Sequence, residues 1–427
     1  MTFNNQISYY ASTLMISEKV VSLVLDAEKC LSSDFKYYDD ISKANQAKIL
    51  NAFKAEKISS AHFNPTTGYG YSDMGRENLS ALFAHIFNGE SAIVSPHILS
   101  GTHAIYLVLS SFLKKDDIFL SVLGKPYDTL STAIGISSKA NNTLVSGGVI
   151  YKEVELNEKK DIDYDTIEKS IEENQPKVVY IQRSRGYDYR HSADIISIEK
   201  ISAISKKVSP NSIIVCDNCY GEFCETKEPL EVGVDIIIGS LIKNPGGGIA
   251  PNGGYIVGKE KYTKKVEENF TAPGIGLEIG SYNASYLPFF QGIYFAPKVT
   301  VESIKGAVLT SYVMEKLGYE SLPKYSRIRT DITQSIKFST EEELIKFIQG
   351  VQKGSPIDSF AKPMPWDMPG YDKKVIMAAG TFIQGSSIEL SADAPIKKPY
   401  IAFMQGGLTF EAHMFGLMHA IDNMGIL

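Results

Sequence analysis

Short, fully apolar runs alternate with helix-spaced segments through the middle of the chain. "SAIVS" at 91–95 precedes "GTHAIYLVLSSFL", "DIFLSV" precedes "PYDTLSTAIG", and "GVIYKEVEL" precedes "DYDTIEKSIEE". "KVVYIQ" precedes "DIISIEKISAISKKV", and "SIIVCD" and "VDIIIGS" complete the series. Runs this short and this apolar read as strands buried on both faces, and the segments between them read as helices. The alternation predicts an α/β fold over about 90–258, a mostly parallel sheet flanked by helices. Ligands of such sheets sit outside the carboxyl ends of the strands.

The pattern changes toward both ends. "SEKVVSLVLDAEKC" and "ISKANQAKILNAF" space apolar residues at three and four, so residues 1–62 read as a helical arm. A turn-rich stretch, "HFNPTTGYGYSDMGRENL", opens a large domain over 63–297. "KEKYTKKVEENF" reads as a helix, a Gly/Tyr/Phe-rich connection follows, and a long helix is expected near 298–318. Within 298–427, "TDITQSIKF", "EEELIKFIQGV", "KVIMAAGTFI", "SIELSA" and "YIAFMQGG" mix strands with helices, which predicts a smaller α+β domain. "MPWDMPGYD" reads as an ordered loop in which Trp366 packs.

Composition narrows the class. The 427 residues are 44% hydrophobic, enough for a large core. The net charge of -6 and the lack of a basic block argue against nucleic acid. No apolar run is long enough to span a bilayer, and "MTFNNQISYY" lacks the pattern of a secretory signal. With only four cysteines a disulfide framework is not expected, and the chain reads as cytoplasmic. Cys216, Cys219 and Cys224 cluster in "CDNCYGEFC", but a fourth metal ligand is missing nearby.

Three strand ends carry candidate chemistry. In "SPHILSGTHAIYL", Ser100, Gly101 and Thr102 open an apolar helix. Backbone amides there suit a phosphate, although Ser and Thr are also ordinary helix caps. Asp217 ends "SIIVCD", where a carboxylate serves either as a turn former or as the partner of a protonated ring nitrogen. Lys243 follows "VDIIIGS" in "GSLIKN". A surface lysine is the ordinary reading; partial desolvation would instead lower its pKa and suit it to a Schiff base. Phosphate cradle, carboxylate and lysine together match pyridoxal 5'-phosphate. Nucleotide readings fit poorly: no G-x-G-x-x-G follows a strand, and "NPGGGIAPNGG" lacks the ending of a P-loop. These glycines read instead as a tight turn beside the cofactor.

"SGTHAI", "DNCYGEF", "GSLIKNPGGGIAPNGGYI", "PGYDKKVIMAAGTFIQGSSIELSAD" and "QGGLTFEAH" resemble the bacterial cystathionine β-lyase-like, methionine γ-lyase-like proteins often called aluminium resistance proteins. These are fold-type-I pyridoxal-phosphate enzymes of Cys/Met metabolism, and the resemblance runs from about residue 60 onward. It implies that Ser100, Gly101, Thr102 and Ser240 contact the phosphate. It implies that Tyr127 stacks on the pyridine ring and helps to protonate the leaving group. Tyr69, Tyr71 and Arg76 match a segment that reaches a partner subunit's phosphate, and Ile242 stands where the lyases often carry Thr. The resemblance further implies a homodimer at minimum, commonly a homotetramer.

One departure concerns the substrate. The lyases hold the α-carboxylate with a C-terminal arginine, and the matching place in "SIELSAD" is Glu389. The chain has six arginines, at 76, 183, 185, 190, 327 and 329. Arg185, then Arg183, are the candidates for this fork, because "YIQRSRGYDYR" ends a strand. The reading that follows is a carbon–sulfur lyase with Lys243 as base, Asp217 at the ring nitrogen and a small sulfur-containing amino acid as substrate. An aminotransferase, racemase or decarboxylase, or a non-catalytic pyridoxal-phosphate-binding stress protein, are the alternatives. His103 lies beside the phosphate loop as a possible contact.

Overall fold

The computed structural model describes residues 3–138, 140–368, 371 and 373–427. Pro369, Gly370 and Asp372, which belong to the expected loop "MPWDMPGYD" and to one of the family-like motifs, lie outside the described residues. The chain forms two compact units, Ala44–Ala296, and residues up to Lys43 together with Pro297–Leu427.

Three helices begin the chain: α1 (Phe3–Leu14), α2 (Glu18–Cys30) and α3 (Ser32–Ala55). Ser17 caps α2 by accepting from the Lys19 amide, and α2 buries Val20, Val21, Val24 and Ala27 along one face. The first boundary between the units falls inside α3, at 43/44, where sequence analysis placed it at 62/63.

The larger unit holds α4 (Met74–Ile86), β1 (Ser91–Ser95), α5 (Gly101–Phe112), β2 (Ile118–Ser121), α6 (Asp128–Ile134) and β3 (Ile150–Glu153). It continues with α7 (Tyr164–Asn174), β4 (Val178–Gln182), α8 (Ile195–Val208), β5 (Ile213–Asp217), β6 (Ile236–Ser240), β7 (Gly254–Gly258) and α9 (Glu260–Glu267). The strands form one sheet in the order β1-β7-β6-β5-β4-β2-β3. β2 to β6 pair in parallel, and β7 runs antiparallel to both β1 and β6. Side chains alternate between two cores. Ile214, Cys216 and Ile237 enter one, while Ile213, Val215, Ile236 and Ile238 enter the other. Strands buried on both faces must be apolar at every position, which is the pattern that made them visible in the sequence.

The long helix α10 (Leu287–Lys316) starts eleven residues earlier than expected, and the second boundary between the units, 296/297, falls within it. Phe289, Phe290, Ile293 and Ala296 are buried at helical spacing, and their packing holds the helix through Pro297. The smaller unit adds β8 (Glu320–Leu322), β9 (Gln334–Phe338), α11 (Glu341–Lys353), β10 (Val375–Ala378), β11 (Ser391–Pro395), β12 (Tyr400–Gln405) and α12 (Phe410–Met424). Its five strands are antiparallel, ordered β10-β11-β12-β9-β8. Thr340 and Glu343 form a capping box on α11.

The strand expected over "SIELSA" begins only at Ser391. Glu389 explains the delay: its carboxylate accepts from the Phe382 and Ile383 amides at 2.7 and 2.9 Å, which holds the preceding chain in a loop. Among the described residues no helix is long and apolar enough to cross a membrane.

Candidate active site

Five segments arrive at the carboxyl edge of the larger unit's sheet, following β1, β2, β4, β5 and β6. After β1 the chain turns into α5, where the Ser100 hydroxyl caps the helix by accepting from the His103 amide at 3.1 Å. The His103 ring accepts from the Leu99 amide at 3.1 Å, so the imidazole shapes this loop from within. A Cβ placed on Gly101 would lie 3.6 Å from Cys219 Sγ and 3.7 Å from Ser240 Cβ. The helix start, the residue after β5 and the end of β6 therefore meet around Gly101.

Tyr127 precedes α6 and faces the same place. Its hydroxyl is 3.0 Å from Thr102 Oγ1, and its amide donates to Gln182 Oε1 at 2.9 Å. Gln182 ends β4, and its side-chain amide donates in turn to the Ser184 carbonyl at 3.2 Å. Burial, and then the charge of Asp217, push the Tyr127 phenol well above its usual range, so it stays protonated.

Asp217 ends β5, buried, and accepts from the Cys219 amide at 3.1 Å. Burial raises its pKa and the nearby Lys243 opposes that rise. Lys243 follows β6 by three residues, and its ammonium lies 4.2 Å from the centre of the Tyr220 ring. The expected lowering of its pKa does not hold for this chain by itself. Burial does act downward, but the surrounding acidic groups of Cys219, Tyr220, Asp217 and Tyr127 outweigh it and raise the value.

The glycine-dense loop after Lys243 has a steric cause. A Cβ on Gly246 would sit 1.6 Å from the Leu241 carbonyl oxygen, and one on Gly247 would sit 2.5 Å from the Gly292 carbonyl oxygen in α10. Gly247 and Gly248 also adopt positive φ angles of 54° and 72°. Only glycine allows the turn to close this tightly.

The other expected residues fall into separate places. Tyr69 and Tyr71 stand exposed with ring centres 5.5 Å apart. Their loop is tied to 280–282 by the Gly280 amide and the Ser281 hydroxyl, and His97 Nε2 donates to the Ser281 carbonyl at 2.9 Å. Arg76 is buried, donates to the Gly280 carbonyl at 3.2 Å and lies 3.7 Å from Glu77. A role for these three at a second subunit's phosphate stays a proposal. Arg183 is fully buried; it pairs with Glu225 at 2.6 Å and Glu228 at 3.7 Å and donates to Asn218 at 2.8 Å. Its guanidinium is committed to holding the chain after β5, which removes it as a substrate fork. Arg185 is buried and engaged within the protein. Cys216, Cys219 and Cys224 are buried free thiols, and the described residues contain no group of three or more His, Cys, Asp or Glu placed to hold a metal ion.

Gln182, Cys219 and Tyr220 belong to the site without having been assigned a role from sequence. Tyr220 reaches Lys243 through a left-handed turn, φ 71°, that nothing in its side chain announces. The donor set fits pyridoxal phosphate: an amine for the aldehyde, a buried carboxylate, hydroxyls and helix-start amides around Gly101, and an aromatic ring at Tyr127.

Comparison with known proteins places the chain in a family. The model of the methionine gamma-lyase family matches residues 20–425. The uncharacterized protein YnbB of Bacillus subtilis (strain 168) is 44% identical over 413 residues, covering 96% of this chain and 98% of that protein. A structure from Clostridium acetobutylicum, given provisionally as a cystathionine beta-lyase involved in aluminum resistance, shares 46% identity with a TM-score of 0.94, covering 99% of each chain. A carbon-sulfur lyase involved in aluminum resistance from Clostridium novyi NT also shares 46% identity, with a TM-score of 0.93 and 99% of each chain covered. The chain belongs to the methionine gamma-lyase family, pyridoxal-phosphate enzymes of fold type I.

Proposed function

We propose that the protein is a pyridoxal-phosphate-dependent carbon–sulfur lyase that cleaves a sulfur-containing amino acid by β- or γ-elimination. The observation that carries this reading is the convergence of Lys243, Asp217 and Tyr127 with the Gly101 helix start at one sheet edge. Lys243 would hold the cofactor through its aldehyde, and Ser100, Gly101, Thr102 and Ser240 would hold its phosphate. Bound there, the cofactor supplies an electron sink for the substrate's α-carbon. Asp217 would face the ring nitrogen and keep it protonated. With the cofactor in place the free Lys243 amine would take the α-proton, and the Tyr127 phenol, beside Thr102, would be the donor to the departing sulfur. Arg185, on the segment after the β4 strand whose Gln182 fixes Tyr127, is the group proposed to meet the substrate carboxylate. Glu389, committed to two backbone amides, does not serve there.

Product analysis tests the reading. With cystathionine, methionine and cysteine as substrates, the protein should release ammonia, a thiol and either pyruvate or 2-oxobutyrate, and Lys243→Ala should release none. Transfer of the amino group to an added keto acid without thiol release would establish an aminotransferase instead.

A further inference from the structure

The turn that carries Lys243 is braced by a second acidic side chain that the reaction does not use. Glu222 is completely buried, five residues after Asp217. Its Oε1 accepts from the Tyr255 hydroxyl of β7 at 2.8 Å, and its Oε2 has no hydrogen-bond partner among the described residues. Its backbone carbonyl accepts from Asn244 Nδ2 at 3.0 Å, and Asn244 is the residue after Lys243. The Tyr255 ring fills the space beside Gly239 in β6, where a Cβ would come within 2.4 Å of it. Tyr220 and Phe223, on either side of Gly221 and Glu222, have positive φ angles of 71° and 62°. Backbone held in this region is strained and gathers at functional sites.

An ionised carboxylate in this position would leave one charged oxygen buried and unsolvated, which is costly. Burial raises the Glu222 carboxyl to about 8, against the hydrogen bond from Tyr255. The groups acting on it are Tyr255, its own backbone amide, Glu228 and Lys243, with Cys216 and Cys219 also near enough to feel its charge. We propose that Glu222 is a positioning residue for Lys243: its buried carboxyl, anchored on Tyr255, fixes the carbonyl that holds Asn244 and with it the lysine turn. This rests on the proposed role of Lys243 as the cofactor lysine.

Two measurements decide it. The first is cofactor-free and follows thermal unfolding of the full chain from pH 4 to 9. Unfolded, the carboxyl titrates near 4.5, and folded near 8, so the native state keeps an extra proton between these values. Stability from this group falls as pH rises through that window and levels off above it. The Tm of Glu222→Gln minus that of wild type should therefore grow between about pH 4.5 and 8 and then stay constant. A difference that does not change with pH overturns the proposal. The second is uptake of pyridoxal phosphate, read by the absorbance of the lysine-linked cofactor. Glu222→Gln should bind within about two-fold of wild type, and Glu222→Leu at least about ten-fold more weakly, a gap of roughly 1.4 kcal/mol. The proposal fails if the amide variant falls as far as the leucine variant, or if the leucine variant binds as wild type does. If the leucine variant does not fold, the amide variant decides alone: a ten-fold loss there overturns the proposal. Failure of the wild type to take up the cofactor would defeat the Lys243 reading itself, which separates the two.

Discussion

Burial opposes the charged forms of Lys243 and Asp217 alike, pulling the pKa of the amine down and pushing that of the carboxylate up, and each residue's charge opposes that pull on the other. A protonated ring nitrogen at Asp217 would compensate that carboxylate in a low-dielectric place, where a fixed charge is worth far more than in water. Asp217→Asn keeps the shape and removes the charge. It should bind pyridoxal phosphate and still lose on the order of 10²–10³ in kcat, measured on whichever sulfur amino acid the wild type cleaves. A variant with near-normal turnover would remove Asp217 from the chemistry. Both residues were readable because each is a charged side chain where an apolar strand stops. The raised pKa of Lys243 was not readable, because it depends on Cys219, Tyr220 and Tyr127, which only the fold brings around it.

Among the elements, the segment after β4 separates the two arginines that sequence analysis ranked first and second for the substrate fork, Arg185 and Arg183. Arg183 turns toward Glu225, Glu228 and Asn218, and its side chain also excludes any Cβ at Gly221, which would lie 2.4 Å away. Removing one member of a buried ion pair costs about 3–5 kcal/mol. Arg183→Met should therefore lower stability by that amount in denaturant unfolding, while the folded fraction keeps the wild-type KM. A large rise in KM at unchanged stability would return Arg183 to the substrate site. The strands and most helices were legible from periodicity alone. The early start of α10 was not: its first turns lie in the segment read as a Gly/Tyr/Phe-rich connection, and the packing of Phe289, Phe290 and Ile293 makes that segment helical. The late start of β11 escaped for a related reason, since Glu389 binds backbone seven and six residues before it.

At the scale of the whole chain, the parallel order of β4, β5 and β6 brings Gln182, Asp217 and Ser240 to one edge, with Gln182 opposite Asp217 and Ser240 two residues beyond Asp217's partner Ile238. The parallel order was expected from strands buried on both faces, so the candidate site's edge was legible before its geometry was. The division into compact units was less so, because α3 and α10 run without interruption through both boundaries and carry no linker composition. The central claim is that Lys243 is the residue joined to the cofactor. Pyridoxal phosphate should be added to the purified chain, the product reduced with borohydride, and the peptides mapped by mass spectrometry. The account predicts one phosphopyridoxyl group per chain, on the peptide that carries Lys243. A label on another lysine, or no label on a folded protein, would contradict it.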